Sequence, residues 1–396
     1  MIAAIPSYVP QDQLKDASPG QRFGLYFQTW ARNSTTTEDW KVDSSGKTTA
    51  LQACCGLTVD DRQRLDALQK RQQAIALLEA EHSLASFQAV SSAPFITGLG
   101  SEHPTENGFS FLSPYGLPYL PGSSIKGVLR NAARELSVES SIDSLWGDQS
   151  ANVIDILFGH DSDADPRRGA LTFLDCIPQL PKRNPLIVEI MTPHLGHYYQ
   201  ASLDSPAKSL SPHESNNPVP IAYLAVPPES EFTFLVTCNH LLLTEELKLN
   251  DSWRRLLAEA FEHAFHWMGF GAKTSLGYGA MERDNKKEML QAQQREQAQR
   301  EQAKAILSDN ARLVAEFVEQ CEARLASIAK KDKPNTRQHT AAQQLAKQAL
   351  ESDSWTAPEK IALADAIEHW LPQVNQVDMK SERKKLKLQQ LRESAS

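Results

Sequence analysis

Apolar residues recur every three to four positions in several stretches of the chain, and this spacing is typical of helices with one buried face. In residues 124–137, for example, Ile125, Leu129 and Leu136 fall on one face. The same pattern predicts helices over residues 60–84, 124–137, 251–268, 308–329, 337–351, 357–371 and 380–392.

Shorter runs that alternate apolar with polar residues, or are rich in β-branched and aromatic residues, predict strands over 87–97, 169–176, 186–191, 221–226, 231–238 and 278–283. Between residues 87 and 283, four of these strands alternate with two helices in the order β-α-β-β-α-β, which is that of the ferredoxin-like (RRM-like) fold. Residues 98–122 and 177–230 then become insertions. The predicted class is therefore α+β, with a ferredoxin-like core.

Changes in composition divide the chain into three parts. Residues 1–57 contain loop signals such as Ser34–Thr37 and predict an irregular N-terminal segment. Residues 58–283 form the predicted core. After residue 284 the chain becomes rich in Gln, Glu, Arg and Ala, which predicts an all-helical C-terminal extension over 284–396.

Composition excludes several classes of protein. The 41% apolar and 23% charged content is typical of a soluble globular protein, no apolar run approaches the ~20 residues of a membrane span, and no signal peptide is visible, so we expect a cytoplasmic protein without a membrane partner. Five scattered cysteines without a CxxC pair argue against a disulfide scaffold and a structural zinc site. Because the net charge is −8, any basic surface must be local.

A cationic stripe follows one face of the helix predicted at 124–137. Lys126, Arg130 and Arg134 stand four residues apart, so their side chains lie on one face, and Ser123 or Ser124 can cap the helix. The spacing alone leaves two interpretations open: a solvated face, or a surface that binds phosphates.

A glycine-rich stretch, Gly269–Gly279, follows the helix predicted at 251–268. Backbone N–H groups beside a lysine suit a phosphate, whereas a helix C-cap followed by a tight turn is the alternative. The stretch matches neither the Walker A motif nor G-x-G-x-x-G, so nucleotide hydrolysis is not favoured. The candidate residues are Gly269, Gly271, Lys273, Thr274, Ser275, Gly277 and Gly279.

Other chemical motifs are incomplete. Ser123–Lys126, Lys273–Ser275 and Ser308–Asn310 imitate a serine-acylation set, but in the wrong order and with Ser275 where glycine belongs. Asp161–Asp165 begins like a calcium loop but has Pro166 where that loop needs glycine. We therefore expect no metal and no cofactor.

The stretch 191–199 contains two histidines and two tyrosines after a predicted strand. Three roles remain possible for His194, His197, Tyr198 and Tyr199. They could contact RNA by stacking and by bonding to phosphate, take part in acid–base chemistry, or pack locally in a turn.

Four blocks of sequence together resemble the RAMP superfamily of CRISPR effector proteins. Within that superfamily the combination looks like the sixth subunit of type III-B, or Cmr, complexes, and the match covers about residues 60–283. The blocks are residues 98–108, 117–130, 191–199 and 269–279.

The resemblance implies a non-catalytic structural subunit of an antiviral ribonucleoprotein that uses a guide RNA (crRNA) to find target RNA. The subunit would cap the backbone filament near the 3′ end of the guide. Its implied partners are crRNA, target RNA, the backbone RAMP subunit, the other terminal RAMP subunit and the small helical subunit. The implied RNA contacts are Ser123, Ser124, Lys126, Arg130, Arg134, His194, Tyr198, Tyr199 and the glycine-stretch residues named above.

Two alternatives stay open. A metal-free RAMP endoribonuclease acting on CRISPR repeat RNA would use His194 or His197, and Asp161, Asp163 or Asp165 could imitate the acidic loop with which backbone subunits cut target RNA. Residues 284–396 have no counterpart in the family pattern.

Overall fold

A computed structural model describes most of the chain and divides it into two compact units, Met1–Gln291 and Ala292–Ser396. The described residues are 2–6, 8–32, 40–78, 83–104, 107–138, 145–147, 151–160, 166–192, 220–327, 330–352 and 354–393.

The first unit contains seven α-helices and twelve strands within its described residues. The helices are α1 (Pro19–Gly24), α2 (Lys47–Ala53), α3 (Val59–Leu78), α4 (Gly122–Val138), α5 (Ala151–Phe158), α6 (Glu245–Lys248) and α7 (Ser252–His263). The strands are β1 (Trp30–Arg32), β2 (Trp40–Val42), β3 (Leu84–Ser91), β4 (Phe111–Leu112), β5 (Leu117–Pro118), β6 (Gly159–His160), β7 (Arg167–Arg168), β8 (Leu171–Phe173), β9 (Ile187–Met191), β10 (Ile221–Ala225), β11 (Glu231–Cys238) and β12 (Met281–Arg283).

The largest sheet has four antiparallel strands in the spatial order β12-β3-β11-β8. Helix α4 follows β3 along the chain and α7 follows β11. The remaining strands form two-stranded ribbons, and β9 and β10, predicted within the second insertion, pair with each other.

Phenylalanines at the centre of the sheet anchor the helical layer. Phe87 of β3 lies opposite Phe234 of β11 in the register. The ring of Phe261, from α7, stacks on Phe87 with centroids 4.2 Å apart and meets Phe234 edge-on at 5.3 Å. Because α4 also supplies Ile125, Leu129 and Leu136 to this core, both helices cover the same face of the sheet.

The N-terminal segment is more regular than the sequence suggested. Helix α1 begins at Pro19 with a capping box between Ser18 and Gln21, and Phe23 and Phe27 of this region are buried in the core. The Phe23 ring stacks on His103 at 3.7 Å, and burial lowers the pKa of that histidine. Long-range contacts thus order the described part of this segment, whereas Ser34–Thr37, on which the prediction of an irregular segment rested, lie outside the described residues.

Several element boundaries also differ from the prediction. Helix α3 is described to Leu78, and Leu84, placed at the end of that helix by the sequence pattern, is the first residue of β3. Strand β12 begins at Met281 rather than at residue 278, because Gly277 and Gly279 have positive φ angles of 90° and 70°. Helix α5 and the β6–β7 ribbon were not predicted.

Helices are the main secondary structure of the second unit within its described residues, and one isolated β-bridge joins Asp332 to Asn375. Its helices are α8 (Asn285–Ile306, which begins in the first unit), α9 (Asp309–Ser327), α10 (Arg337–Glu351), α11 (Ala357–Val374), α12 (Met379–Lys385) and α13 (Leu388–Glu393). Its own core includes Phe317, Trp355 and Leu363. The last predicted helix is divided in two, because Lys387 has a positive φ of 52° between α12 and α13.

Among the helices that the structure describes, none is both long enough and apolar enough to cross a membrane.

The stacked phenylalanines give a test of the core. Replacing the fully buried Phe261 (Phe261→Ala) leaves a cavity between α7 and the sheet, so we expect the free energy of unfolding to fall by about 3–5 kcal/mol. Leu241→Ala, at a side chain that is 91% exposed, is the control and is expected to change it by less than ~0.5 kcal/mol. Urea denaturation followed by circular dichroism measures both; equal stabilities of the two variants would contradict this account of the core.

Candidate nucleic-acid interface

A cleft of about 540 Å³ lies beside the N-terminal half of α4. We call it the basic cleft, because four of the residues that line it are cations and none of the described lining residues is acidic. Its polar side chains come from α4 and the β6–β7 ribbon, with one threonine from β8: Ser123, Lys126, Arg130, His160, Arg167, Arg168 and Thr172.

Helix α4 reaches this position because its first residue is a glycine. Gly122 is buried against the backbone of Phe173, and a Cβ at this position would collide with the Phe173 carbonyl. The Gly122 N–H donates to Oδ1 of Asp175 at 2.8 Å, which satisfies one of the free amides at the start of the helix. The first turn of α4 therefore lies directly on the end of β8.

The opposite wall depends on a second close backbone approach. The Gly159 N–H and the Leu157 carbonyl both lie 2.5 Å from where a Cβ on Gly169 would be, so only glycine fits there. This contact closes the β6–β7 ribbon, in which His160 pairs with Arg167. Both arginines of the ribbon are exposed.

One carboxylate contacts two basic side chains at the base of the basic cleft. Asp155 of α5 lies 3.7 Å from Nη2 of Arg130 and 2.9 Å from Nδ1 of His160. The Arg130 side chain is only 20% exposed, and its buried Nε has no hydrogen-bond acceptor among the described residues. Asp155 thus holds Arg130 in place, while other N–H groups of its guanidinium remain free to donate hydrogen bonds to an anion.

The structure brings together only part of the cationic stripe predicted on α4. Ser123, Lys126 and Arg130 line the basic cleft, whereas Ser124 and Arg134 are exposed residues of α4 outside its lining. His194, His197, Tyr198 and Tyr199 lie outside the described residues, as do Asp161, Asp163 and Asp165.

Sequence reasoning missed His160, Arg167 and Arg168. The adjacent Arg-Arg pair lies within a short ribbon that has no apolar periodicity. The two glycines that bracket it, Gly159 and Gly169, were the available signal, because an isolated glycine in a strand indicates a close approach of two backbones.

The glycine stretch ends the helix that precedes it. Helix α7 passes into one π-helical turn, Ala264–Met268, and Gly269 stops it with a φ of 68° while its N–H donates to the Ala264 carbonyl at 2.9 Å. The helix-stop interpretation is confirmed. Trp267 lies in this turn with 80% of its side chain exposed, and such an aromatic ring suits stacking on an unpaired base.

The rest of the stretch packs on the segment that follows β3. The Ala272 N–H donates to Ile96 and the Gly279 N–H to Pro94, each at 2.8 Å. Gly271 has a φ of 95°, and a Cβ there would collide with the Ile96 carbonyl. Two of the glycines, 271 and 279, are therefore required by backbone contacts within the fold.

The tip of the stretch is what remains for a ligand. Lys273 adopts a left-handed conformation with a φ of 58° and precedes a 3-10 turn, Thr274–Leu276. The N–H groups of Lys273, Thr274 and Ser275 have no acceptor among the described residues. Three available amides beside an ammonium group can bind a phosphate. Within the described residues, this tip is not part of the basic-cleft lining.

The cysteine, acidic and histidine side chains of the described residues bear on covalent and metal chemistry. Burial raises the pKa of the Cys54 and Cys176 thiols to about 12, so neither is a thiolate at neutral pH. Among the described residues, no group of three or more His, Cys, Asp or Glu side chains could hold a metal ion.

Comparison with known proteins gives a family match over part of the chain. The model of the RAMP superfamily matches residues 92–282, which include α4, the basic cleft and the glycine stretch. Over these residues the chain resembles the RAMP superfamily. Its curated relatives include the CRISPR system Cmr subunit Cmr6 of Pyrococcus furiosus, at 27% identity over 47% of this chain and 64% of the relative.

A second curated relative, Cmr6 of Saccharolobus solfataricus, is 26% identical over 45% of this chain and 49% of the relative. The chain thus spans less than two thirds of the length of these two relatives. The crystal structure of Cmr6 from Pyrococcus furiosus matches over 52% of this chain and 100% of that chain, at 24% identity and a TM-score of 0.31. The chain is therefore Cmr6-like over the matched residues, on the strength of the family match and the two curated relatives.

The glycines give a test of the loop geometry. Gly271→Ala combines an unfavourable φ with a collision against a backbone carbonyl, so we expect a loss of about 2–4 kcal/mol in the free energy of unfolding. Gly277→Ala is the matched control: its φ of 90° is equally unsuited to alanine, but nothing lies within 4 Å, so a loss of only about 1–2 kcal/mol is expected. Urea titration measures both, and a loss in Gly277→Ala equal to that in Gly271→Ala would show that the Ile96 contact does not constrain the stretch.

Proposed function

We propose that the chain is a guide-RNA (crRNA)-binding structural subunit of a type III-B CRISPR ribonucleoprotein effector, acting in antiviral defence. The observation that carries this proposal is the basic cleft: four cations around a cleft whose described lining residues include no acid, in a chain whose net charge is −8. Its location inside the region that matches the RAMP superfamily, and the similarity to two proteins named Cmr6, support the assignment.

The basic cleft would hold the RNA backbone rather than read its bases. Arginine presents a planar fork of donors to phosphate oxygens and lysine presents a compact charge. Such contacts fix the position of a strand without reading its sequence. This suits a protein that leaves sequence recognition to pairing between guide and target.

The glycine stretch would be a second clamp on the same strand. Lys273 and the amides of Lys273, Thr274 and Ser275 would contact a phosphate, while Gly271 and Gly279 hold the stretch on the fold. Trp267 beside it would stack on a base. Ser124, Arg134, His194, Tyr198 and Tyr199 remain proposed RNA contacts on the resemblance alone.

The finer architecture is part of the proposal. When β3, β8, β11 and β12 are numbered 1 to 4 in chain order, the spatial order across the sheet is 4-1-3-2, which supports a ferredoxin-like core over residues 58–283. Residues 1–57 and 284–396 would be additions to it. The subunit would be non-catalytic and cytoplasmic, would cap the filament near the 3′ end of the guide, and would contact crRNA, target RNA and the other Cmr-type subunits.

Salt dependence of RNA binding tests the proposed role of the cleft. Removal of two phosphate contacts with Lys126→Ala plus Arg130→Ala should weaken binding to a single-stranded 20-nucleotide RNA. It should also make the slope of log K against log salt less steep by about 1.4, since each neutralised phosphate contributes about 0.7. Fluorescence anisotropy at four salt concentrations measures both quantities.

The matched control is Lys41→Ala plus Lys70→Ala, which changes the net charge equally at two exposed positions of the first unit. Its affinity and slope are expected to stay within error of the wild type. If both double variants bind alike while keeping the wild-type midpoint of unfolding, the basic cleft is a solvated surface and the proposed function loses its main support.

A further inference from the structure

The C-terminal unit contains a second cationic cleft that the family resemblance does not cover. It has a volume of about 500 Å³ and lies along α12 and α13 beside one residue of α11; we call it the C-terminal cleft. Four of the residues that line it are cations and one is an acid: Arg383, Lys384, Lys387, Arg392 and Glu368.

The single acid positions two of these cations. Glu368 pairs with Nη2 of Arg383 and accepts a hydrogen bond from Nη2 of Arg392 at 2.6 Å. Hydrogen bonds, chiefly from Arg392 and also from Arg383, lower the pKa of Glu368 although partial burial raises it. The carboxylate therefore stays charged. Each guanidinium keeps further N–H donors for a ligand, since Glu368 and Asp365 together engage only part of the two forks.

The two lysines supply charge that the described acids leave uncompensated. The described ion pairs give Lys384 and Lys387 no acidic partner, whereas their neighbour Lys385 is paired with Glu382 at 2.8 Å. Lys387 stands at the positive-φ junction of α12 and α13, between the buried Leu386 and Leu388. Because both leucines are fixed in the core, the exposed lysine between them is held at the cleft.

The chemistry of the lining favours a polyanion over a folded protein partner. Protein interfaces are centred on aromatic or large apolar anchors. The described residues that line the C-terminal cleft include no aromatic side chain, and the one large apolar residue, Leu388, is buried in the core. The cations and glutamine amides of the lining suit a phosphodiester backbone, which is bound by charge without sequence preference.

We propose that the C-terminal cleft binds the phosphate backbone of single-stranded RNA, at a site separate from the basic cleft. This proposal depends on the proposed function in one respect: the proposed function identifies the polyanion as RNA. Arg383 and Arg392, held by Glu368, form the fixed side of the site, and Lys384 and Lys387 supply the net positive charge.

The test uses the full chain and a labelled 20-nucleotide oligouridylate. Lys384→Ala plus Lys387→Gly removes both lysines, and glycine suits the φ of 52° at residue 387, so the fold is expected to be retained. We expect the affinity to fall at least threefold at low salt and the salt slope to become about 1.4 less steep. Lys330→Ala plus Lys347→Ala, at two exposed positions of the same unit, is the control and should match the wild type.

Ultraviolet crosslinking of wild-type protein to the same RNA, read by mass spectrometry, is the second measurement and does not depend on a variant folding. A crosslinked peptide from residues 379–393 is expected. Wild-type binding by the Lys384 and Lys387 variant together with no crosslink in that region would overturn the proposal, as would tighter binding of a polyglutamate peptide than of RNA. If the Lys126 and Arg130 variant binds RNA as tightly as the wild type, by contrast, only the proposed RNA-binding role of the basic cleft is overturned.

Discussion

Close contacts between backbones, which are possible only at glycine residues, determine where the candidate RNA-binding groups lie. Gly122 allows the first turn of α4 to rest on the backbone of Phe173, and Gly169 allows the β6–β7 ribbon to close on Gly159. The basic cleft is the space between these two contacts. Gly271 has the same effect on the glycine stretch by bringing it against Ile96. Because packed interiors have few voids, none of these positions can accept a Cβ without moving a backbone.

In each cleft one carboxylate engages two basic side chains. Asp155 engages Arg130 and His160 in the first unit, Glu368 engages Arg383 and Arg392 in the second, and each arginine keeps further N–H donors. A preorganised guanidinium loses less conformational entropy on binding a phosphate than a freely rotating one does. Local arrangement therefore gives an acidic chain two surfaces suited to a polyanion.

The sequence predicted those features that depend on local periodicity. Each of these features can be recognised within a short stretch of sequence. They are the apolar positions of α4 and α7, the cations of α4 and the glycine that stops α7. The sequence pattern did not show that Arg167 and Arg168 would face Lys126 across a cleft, because that proximity depends on a ribbon closed by two glycines. It also did not show that Phe23 would stack on His103, a contact between segments 80 residues apart.

The RNA bound by the protein in its own cells tests the central claim most directly. The chain would be purified from those cells under gentle conditions, and the RNA that accompanies it would be extracted and sequenced. The proposed role predicts short guide RNAs that share a CRISPR repeat-derived segment, enriched over total cellular RNA. A preparation that carries no RNA, or RNA with the same composition as the total pool, would contradict it.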